Sequence, residues 1–410
     1  MSLVKSNIIG QGGYGCVSRP PLKCKDVKDK DGKNVVFNYE NKVSKLLLNE
    51  HANAEMYEYG KIIKNKGITQ FIVPPPRACR PEITEILDKT VEECKVEGMY
   101  ENYFGTEYKL PNKSSVTSLL FHDGGEDLSH FNQLVYDNRD SDNIDYLITF
   151  FKSLVNLIKG LKFFKDNTII HNDIKLENMV FNKKDGISRF IDFGVSTTFK
   201  QMIRESVRNE NDMANEVLYG KSEFKEFYPP EYICLNYEDY STSPECVNII
   251  EDLYKFREED KDDEKLVAYS NNRIKEFIDP VNGYEKFVTE SVARIDIFQF
   301  SLSIKVILEY IKNVYWKIDK ISRSLTKQFI ISFDTLLDSY VEKNLLYRKT
   351  DPKTLLNEYL NILNIYTSEM IKQNSSINNI KDDIKGGMSK KRRKTRKKNN
   401  RKNKRKSKRT

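Results

Sequence analysis

The segment His171-Asn172-Asp173-Ile174-Lys175-Leu176-Glu177-Asn178, followed by Asp192-Phe193-Gly194, gathers the charged and metal-binding groups that magnesium-dependent phosphoryl transfer needs. Asp173 is placed to accept or orient the proton of an attacking hydroxyl, and Lys175 to neutralise charge on the phosphoryl group in flight. Asn178 and Asp192 are the magnesium ligands in this reading. Hard divalent cations take oxygen donors and magnesium keeps several waters, so one carboxylate, one amide and nucleotide phosphates suffice. A lone Asp or Asn in a loop is an ordinary cap or turn residue; it is the ensemble and its context that carry weight.

The elements that must hold these residues are legible around them. Asn167-Thr168-Ile169-Ile170, Met179-Val180-Phe181 and Ser188-Arg189-Phe190-Ile191 are short β-prone runs, the last delivering Asp192. Near the N-terminus, Ile8-Ile9-Gly10-Gln11-Gly12-Gly13-Tyr14-Gly15-Cys16-Val17 sets a glycine-rich turn between two β-prone runs. Glycine lets backbone N–H groups approach phosphate oxygens without a Cβ in the way. A dinucleotide-binding fold would need this turn to open a helix, but Pro20 and Pro21 follow too soon. The next β-prone run, Asn41 to Leu47, puts Val43 and Lys45 on one face by alternation, and Lys45 can reach the α- and β-phosphates; Lys42 lies on the opposite face. Glu50 to Ile63 has helical spacing of Met56, Tyr59, Ile62 and Ile63 and offers Glu55, or alternatively Glu58, as the carboxylate partner of Lys45.

With these motifs in hand, the chain resembles a eukaryotic-type serine/threonine protein kinase. Its dialect is similar to the divergent kinases of large nucleocytoplasmic DNA viruses: Gly-Gly-Tyr-Gly-Cys-Val followed by prolines and Cys24, Val43-Ser44-Lys45, and Phe121-His122-Asp123-Gly124-Gly125-Glu126-Asp127-Leu128. The resemblance covers about residues 5 to 350. It implies ATP and magnesium as cofactors, with Gly10, Gln11, Gly12, Gly13, Tyr14, Gly15, Val17, Lys45, Glu55 and Asp127 around the nucleotide. It also implies a hinge at Leu120 to Asp123, Asp127 capping the next helix near the ribose, and His171 and Phe193 stacked in a spine. Tyr228-Pro229-Pro230-Glu231 is similar to the motif that closes the activation segment, with Arg348 as partner of Glu231. Asp296 resembles the aspartate that opens the central helix of the large lobe. Lys175 resembles the serine/threonine class.

Two departures stand out. Asn172 replaces the arginine that grips a phosphorylated activation segment in many members of that family, which implies activity independent of such phosphorylation. Between Glu231 and Asp296 lie 64 residues, an insertion over roughly 236–290, whose Glu251 to Lys265 part mixes both charges and suits an exposed helix or disorder. It reads as a tolerated surface insertion or a docking element. Asp26 to Asn38 reads as a surface loop.

Composition adds limits. At 410 residues the chain can bury a sizeable core split into two lobes. The six cysteines form no Cys-x-x-Cys pair, which predicts neither zinc nor a disulfide framework, but reduced thiols in an intracellular, cytoplasmic or nuclear setting, or a host cell or virion if the viral likeness holds. The glycine-rich turn begins almost at Met1, so no secretory leader is expected. Ile295 to Tyr310 is interrupted by Asp296, Gln299, Lys305 and Glu309 and is too short for a membrane span. Phe150 to Phe164 repeats apolar residues at helical spacing and should lie beneath the catalytic loop. From Ser389 to Thr410 there are 15 Lys or Arg and no acid, so the rest of the chain is mildly acidic. Such a run cannot fold alone, and would condense on nucleic acid or another polyanion in a salt-sensitive way.

The expected fold is therefore α+β and bilobal: a small antiparallel-β lobe with one helix over 1–119, a hinge over 120–128, a larger mainly helical lobe over 129–370, and a linker with a disordered basic tail over 371–410. The expected function is ATP-dependent phosphoryl transfer to Ser/Thr hydroxyls of protein substrates. The alternative is a pseudokinase or docking scaffold localised by its tail.

Overall fold

Strand β1 (Ile8–Gln11) turns back antiparallel into β2 (Gly15–Ser18), with Gln11 opposite Cys16. Strand β3 (Lys42–Leu48) continues the sheet, and helix α1 (Asn49–Ile62) follows it directly. Strands β4 (Arg77–Cys79) and β5 (Val116–His122) complete a five-stranded antiparallel sheet in the order β1-β2-β3-β5-β4. The computed structural model describes residues 7–25, 36–106, 110–130, 144–208, 227–235, 244–279, 283–315, 322–369 and 372. Residues 26–35 of the expected surface loop and the whole basic tail lie outside them.

The sheet is covered on both faces, which explains why Leu46, Leu47 and Leu48 are consecutive and all buried. Leu47, Leu119 and Phe121 pack toward Ala52, Tyr59 and Ile62 of α1. Leu46, Leu48 and Val116 face the other way, against helices α2 (Glu85–Glu93) and α3 (Met99–Phe104), which are inserted between β4 and β5. Sequence reasoning did not assign this pair.

Beyond β5 the chain pairs β6 (Glu126–Asp127) with β8 (Met179–Asn182), which forms a hairpin with β9 (Ile187–Phe190). Helix α4 (Ile144–Asp166) buries Phe150, Phe151, Leu154, Leu157, Ile158, Leu161 and Phe164, the stripe its spacing predicts. Asn167 ends it: its backbone N–H and side-chain amide both donate to the Phe163 carbonyl, at 3.0 and 2.9 Å. β7 (Ile169–Ile170) then pairs with β10 (Thr197–Thr198), bracketing the catalytic loop and Asp192. Helix α5 (Phe199–Val207) is N-capped by the Thr198 hydroxyl. An antiparallel sheet followed by a mainly helical part is the expected fold class, consistent with a kinase fold.

The span read as a surface insertion instead builds α6 (Pro244–Leu253), α7 (Glu264–Ile278) and α8 (Gly283–Val292). Their Ile250, Leu253, Phe277, Phe287 and Val288 share one apolar cluster with Tyr228, Tyr232 and Leu235. The charge-rich stretch around Glu258–Asp263 is exposed, as its composition requires, but it is flanked by packed helices. Helices α9 (Ile295–Tyr315), α10 (Ser322–Val341) and α11 (352–369) close the main core beneath α4. None of the described helices is long and apolar enough to cross a membrane.

The expectation of reduced thiols is overturned. Cys16–Cys94, Cys24–Cys79 and Cys234–Cys246 are disulfides, with Cα separations of 5.9, 5.7 and 5.7 Å, and no cysteine is free. Sequence separations of 78, 55 and 12 hide the pairing; the fold around the sheet and the inserted helices brings these residues together. The inference from cysteine spacing to a reducing compartment falls with it.

Arg348 and Glu231 form an ion pair of 2.6 Å whose side chains are 1% and 0% exposed, fastening the Pro230–Cys234 turn to the chain ahead of α11. Arg348 also donates to the Lys343 carbonyl at 2.8 Å. Breaking a buried pair strands the remaining charge, so Arg348→Met is expected to cost about 3–5 kcal/mol. Adding Glu231→Gln should recover much of that. Urea unfolding of the two variants checks this, and an Arg348→Met protein as stable as the parent would refute it.

Candidate active site

The glycine turn closes on a 2.9 Å bond from the Gly12 N–H to the Gly15 carbonyl. A Cβ on Gly10 or Gly13 would meet nothing within 4 Å, so the turn leaves open space where a phosphate could approach. Gly15 is different: its Cβ would lie 2.5 Å from the Leu46 carbonyl oxygen, so strand packing alone demands glycine there. Beneath the turn is a cavity of about 360 Å³, within the range of small-molecule sites.

Gly10, Gln11, Gly12, Gly15 and Val17 form one wall of this cavity. Lys45 and Glu55 stand at its back, Asn178 and Asp192 on its floor, and Asp127 at its mouth. Gly13 and Tyr14 do not line it; the Tyr14 ring sits outside against His51, 4.9 Å between centroids. Asp173 and Lys175 do not line the cavity; Asp173 reaches it through Asn178, and Lys175 pairs in turn with Asp173.

Lys45 is held between Val17 and Leu119 by the register of β2, β3 and β5. Its Nζ is 2.8 Å from a Glu55 carboxylate oxygen and 3.5 Å from one of Asp192. Burial works against its charge, but Asp192 and Glu55 outweigh it and hold the pKa above the usual lysine value. Burial likewise opposes the Asp192 charge, and Lys45 with the Gly194 N–H holds its carboxyl below the ordinary range. The two stay oppositely charged. Glu58, the alternative partner, instead pairs with Lys61 at 2.9 Å.

In the catalytic loop the Asp173 carboxylate is 3.0 Å from Lys175 Nζ and accepts from Asn178 Nδ2 at 2.8 Å. The same Asn178 nitrogen donates to the Asp173 carbonyl at 2.8 Å, which leaves the amide oxygen to take a cation. With the Asp192 carboxylate this gives two oxygen donors of the kind magnesium takes, the rest to come from phosphates and water. Burial pushes the Asp173 carboxyl up, against the pull of Lys175.

The loop is supported from below by Asp296 at the start of α9. Its carboxylate accepts from the His171 and Asn172 N–H groups at 2.9 and 3.0 Å, and burial lifts its pKa to about 6. Gln299, one turn on, accepts from the Ile174 N–H at 3.1 Å. His171 is buried, its pKa driven down to about 4, so its neutral ring donates from Nε2 to the Ile191 carbonyl at 3.0 Å. Its ring lies 4.5 Å from that of Phe193, which also meets Tyr59 of α1 at 5.6 Å and Phe164 of α4 at 6.1 Å. Asn172 is buried in the left-handed region at φ 64°, its carbonyl accepting from Tyr228 at 2.8 Å and its side-chain oxygen from Tyr232 at 3.1 Å.

Sequence reasoning missed Arg19. It leaves the end of β2 to ion-pair with Asp123 at 2.8 Å and with Glu126, and donates to the Gly125 carbonyl at 3.0 Å, forming part of the cavity mouth. No local pattern marks it, since its partners are more than 100 residues away. Asp127 accepts from the Ser129 N–H at 3.0 Å and pairs with His130 at 2.9 Å, capping the short turn Leu128–His130.

A stretch of 80 residues is 30% identical to the calcium-dependent protein kinase 4 of Plasmodium falciparum (isolate 3D7), covering 18% of this chain and 15% of that protein. The chain thus spans about 15% of the length of this curated relative. Residues 138–244, which contain the catalytic loop, Asp192 and Glu231, match the family model described as the protein kinase domain. Over that segment the chain is similar to the protein kinase domain family.

Proposed function

We propose that the chain is an ATP-dependent protein kinase that transfers the γ-phosphoryl group to serine or threonine hydroxyls of protein substrates. The observation that carries this reading is the convergence of Lys45, Asn178 and Asp192 on one cavity with Asp173 hydrogen-bonded to its floor. The glycine turn covers the phosphates with backbone N–H groups, and Lys45, charged and oriented by Glu55, takes the α- and β-phosphate oxygens. Asn178 and Asp192 are the residues to hold magnesium, which when bound neutralises charge on the phosphates. Asp173 orients the substrate hydroxyl and takes its proton; its raised pKa makes it a better base than an exposed aspartate. Lys175 screens charge on the transferred group.

The serine/threonine preference rests on Lys175, and the likeness to viral kinases on the sequence dialect. The basic run 390–409 is read as a polyanion or nucleic-acid contact that locates the enzyme without taking part in transfer. The scaffold reading retains the nucleotide cavity but assigns it no turnover.

Transfer of labelled phosphate from ATP with magnesium to a generic protein substrate tests the proposal. Label on serine or threonine, lowered at least ~100-fold by Asp173→Ala and again by Asp192→Ala, is the expected outcome. Nucleotide binding without transfer would favour the scaffold. Because tyrosine hydroxyls hold Asn172 where a phosphate-gripping arginine would stand, phosphatase-treated protein should keep its turnover; loss of activity on treatment would contradict this. As pH falls, Asp173 takes up a proton and can no longer accept one, so turnover should decline with an acid midpoint above 3.8, the ordinary aspartate value. A pH–rate profile flat down to 3.8 would remove Asp173 as the base.

A further inference from the structure

We infer that the helical pair α2–α3 is a brace that positions the glycine turn for nucleotide, with Cys94 as the positioning residue. This rests on the reading of the cavity as a nucleotide site. Both strands of the turn are fastened at one point, the C-terminal end of α2. From β1, the Gln11 side chain donates to the Glu93 carbonyl at 3.0 Å. From β2, Cys16 is covalently joined to Cys94, the next residue. Gln11 and Cys16 flank the turn on either side and are themselves cross-strand partners.

Glycine loses more conformational freedom on ordering than any other residue. Left to itself, the turn has one internal backbone bond and open space around Gly10 and Gly13. Ordering such a segment on binding lowers affinity, and fixing it beforehand restores it. The anchor is itself rigid. Leu87, Val91, Met99 and Tyr103 are fully buried against the sheet, the Thr84 hydroxyl caps α2, and Asp88 accepts from the Tyr103 hydroxyl at 2.7 Å. Cys16 and Cys94 are 0% and 3% exposed, out of reach of a dithiol in the folded protein, so the tie is a standing brace and not a redox switch.

The neighbouring disulfide supplies the control. Cys24–Cys79 joins the segment after β2 to β4, away from the turn, and is also buried. In the full chain, Cys94→Ser should raise the ATP KM about tenfold while kcat at saturating ATP and the KM for a peptide substrate stay as in the parent. Cys79→Ser should leave the ATP KM unchanged. Equal effects of the two substitutions, or a loss of kcat without a change in ATP KM, would overturn the brace. Should Cys94→Ser fail to fold, Cys16→Ala/Cys94→Ala, which puts no hydroxyl into the apolar cluster, carries the same test. Hydrogen exchange without nucleotide separates the brace from the nucleotide reading. Faster exchange of the Gly12–Gly15 amides, with β5 still protected, supports the brace whether or not ATP binds, and unchanged exchange overturns it.

Discussion

Lys45 is a largely buried ammonium, its side chain 15% exposed, that needs carboxylates around it, and supplying them fixes where three elements must lie. Glu55 can reach it only if α1 packs against the sheet in one register, and Asp192 only if the chain leaving β9 turns beneath it. Burial of a lone charge costs far more than either contact returns, so the arrangement holds as a set. Tyr59, one turn along α1 from Glu55, meets Phe193, the residue after Asp192, so an aromatic contact enforces the same geometry as the ion pair. The position of α1 is thus read twice, once by charge and once by packing.

The catalytic loop has a different support. It has little regular structure of its own, and its backbone N–H groups are answered by Asp296 and Gln299 from α9, while tyrosines from the segment after 227 hold Asn172. A carboxylate that accepts two backbone bonds inside an apolar core is a fixed acceptor from which a loop can be hung. The helices that follow Tyr232 belong to this support, because the apolar cluster containing Tyr228 and Tyr232 is completed by α6, α7 and α8.

Local patterns made much of this legible. The α4 stripe, the alternation placing Val43 and Lys45 on one face, and the short runs around the loop each reflect a period that burial imposes within one element. Choosing Glu55 over Glu58 needed the angle at which α1 meets the sheet, which no single helix encodes. The Cys16–Cys94 and Cys24–Cys79 disulfides and Arg19 with Asp123 and Glu126 escaped for one reason: each is defined by partners more than 50 residues apart in sequence. The charge density of 251–265 masked the apolar residues in and around it, Ile249 and Ile250 before, Leu253 within, and Phe277 and Phe287 after.

Backbone strain bears on the choice between enzyme and scaffold. Among the described residues, four that are not glycine have left-handed backbones: Asn41, Thr168, Asn172 and Asp192. Two of the four are Asn172, in the 171–178 loop, and Asp192, proposed above to hold magnesium. A side chain in that region costs free energy, and the cost persists only where surrounding contacts overdetermine the geometry. At Asn172 those contacts are Asp296, Tyr228 and Tyr232; at Asp192 they are Lys45 and the Gly194 N–H. A scaffold that bound nucleotide with magnesium would also use Asp192, so the group that the proposed transfer needs in addition is Asp173, whose carboxyl burial pushes up. Of the two strained residues at the site, Asp192 is the proposed cation ligand and Asn172 adjoins the proposed base, so the strain fixes the geometry on which the proposed transfer depends.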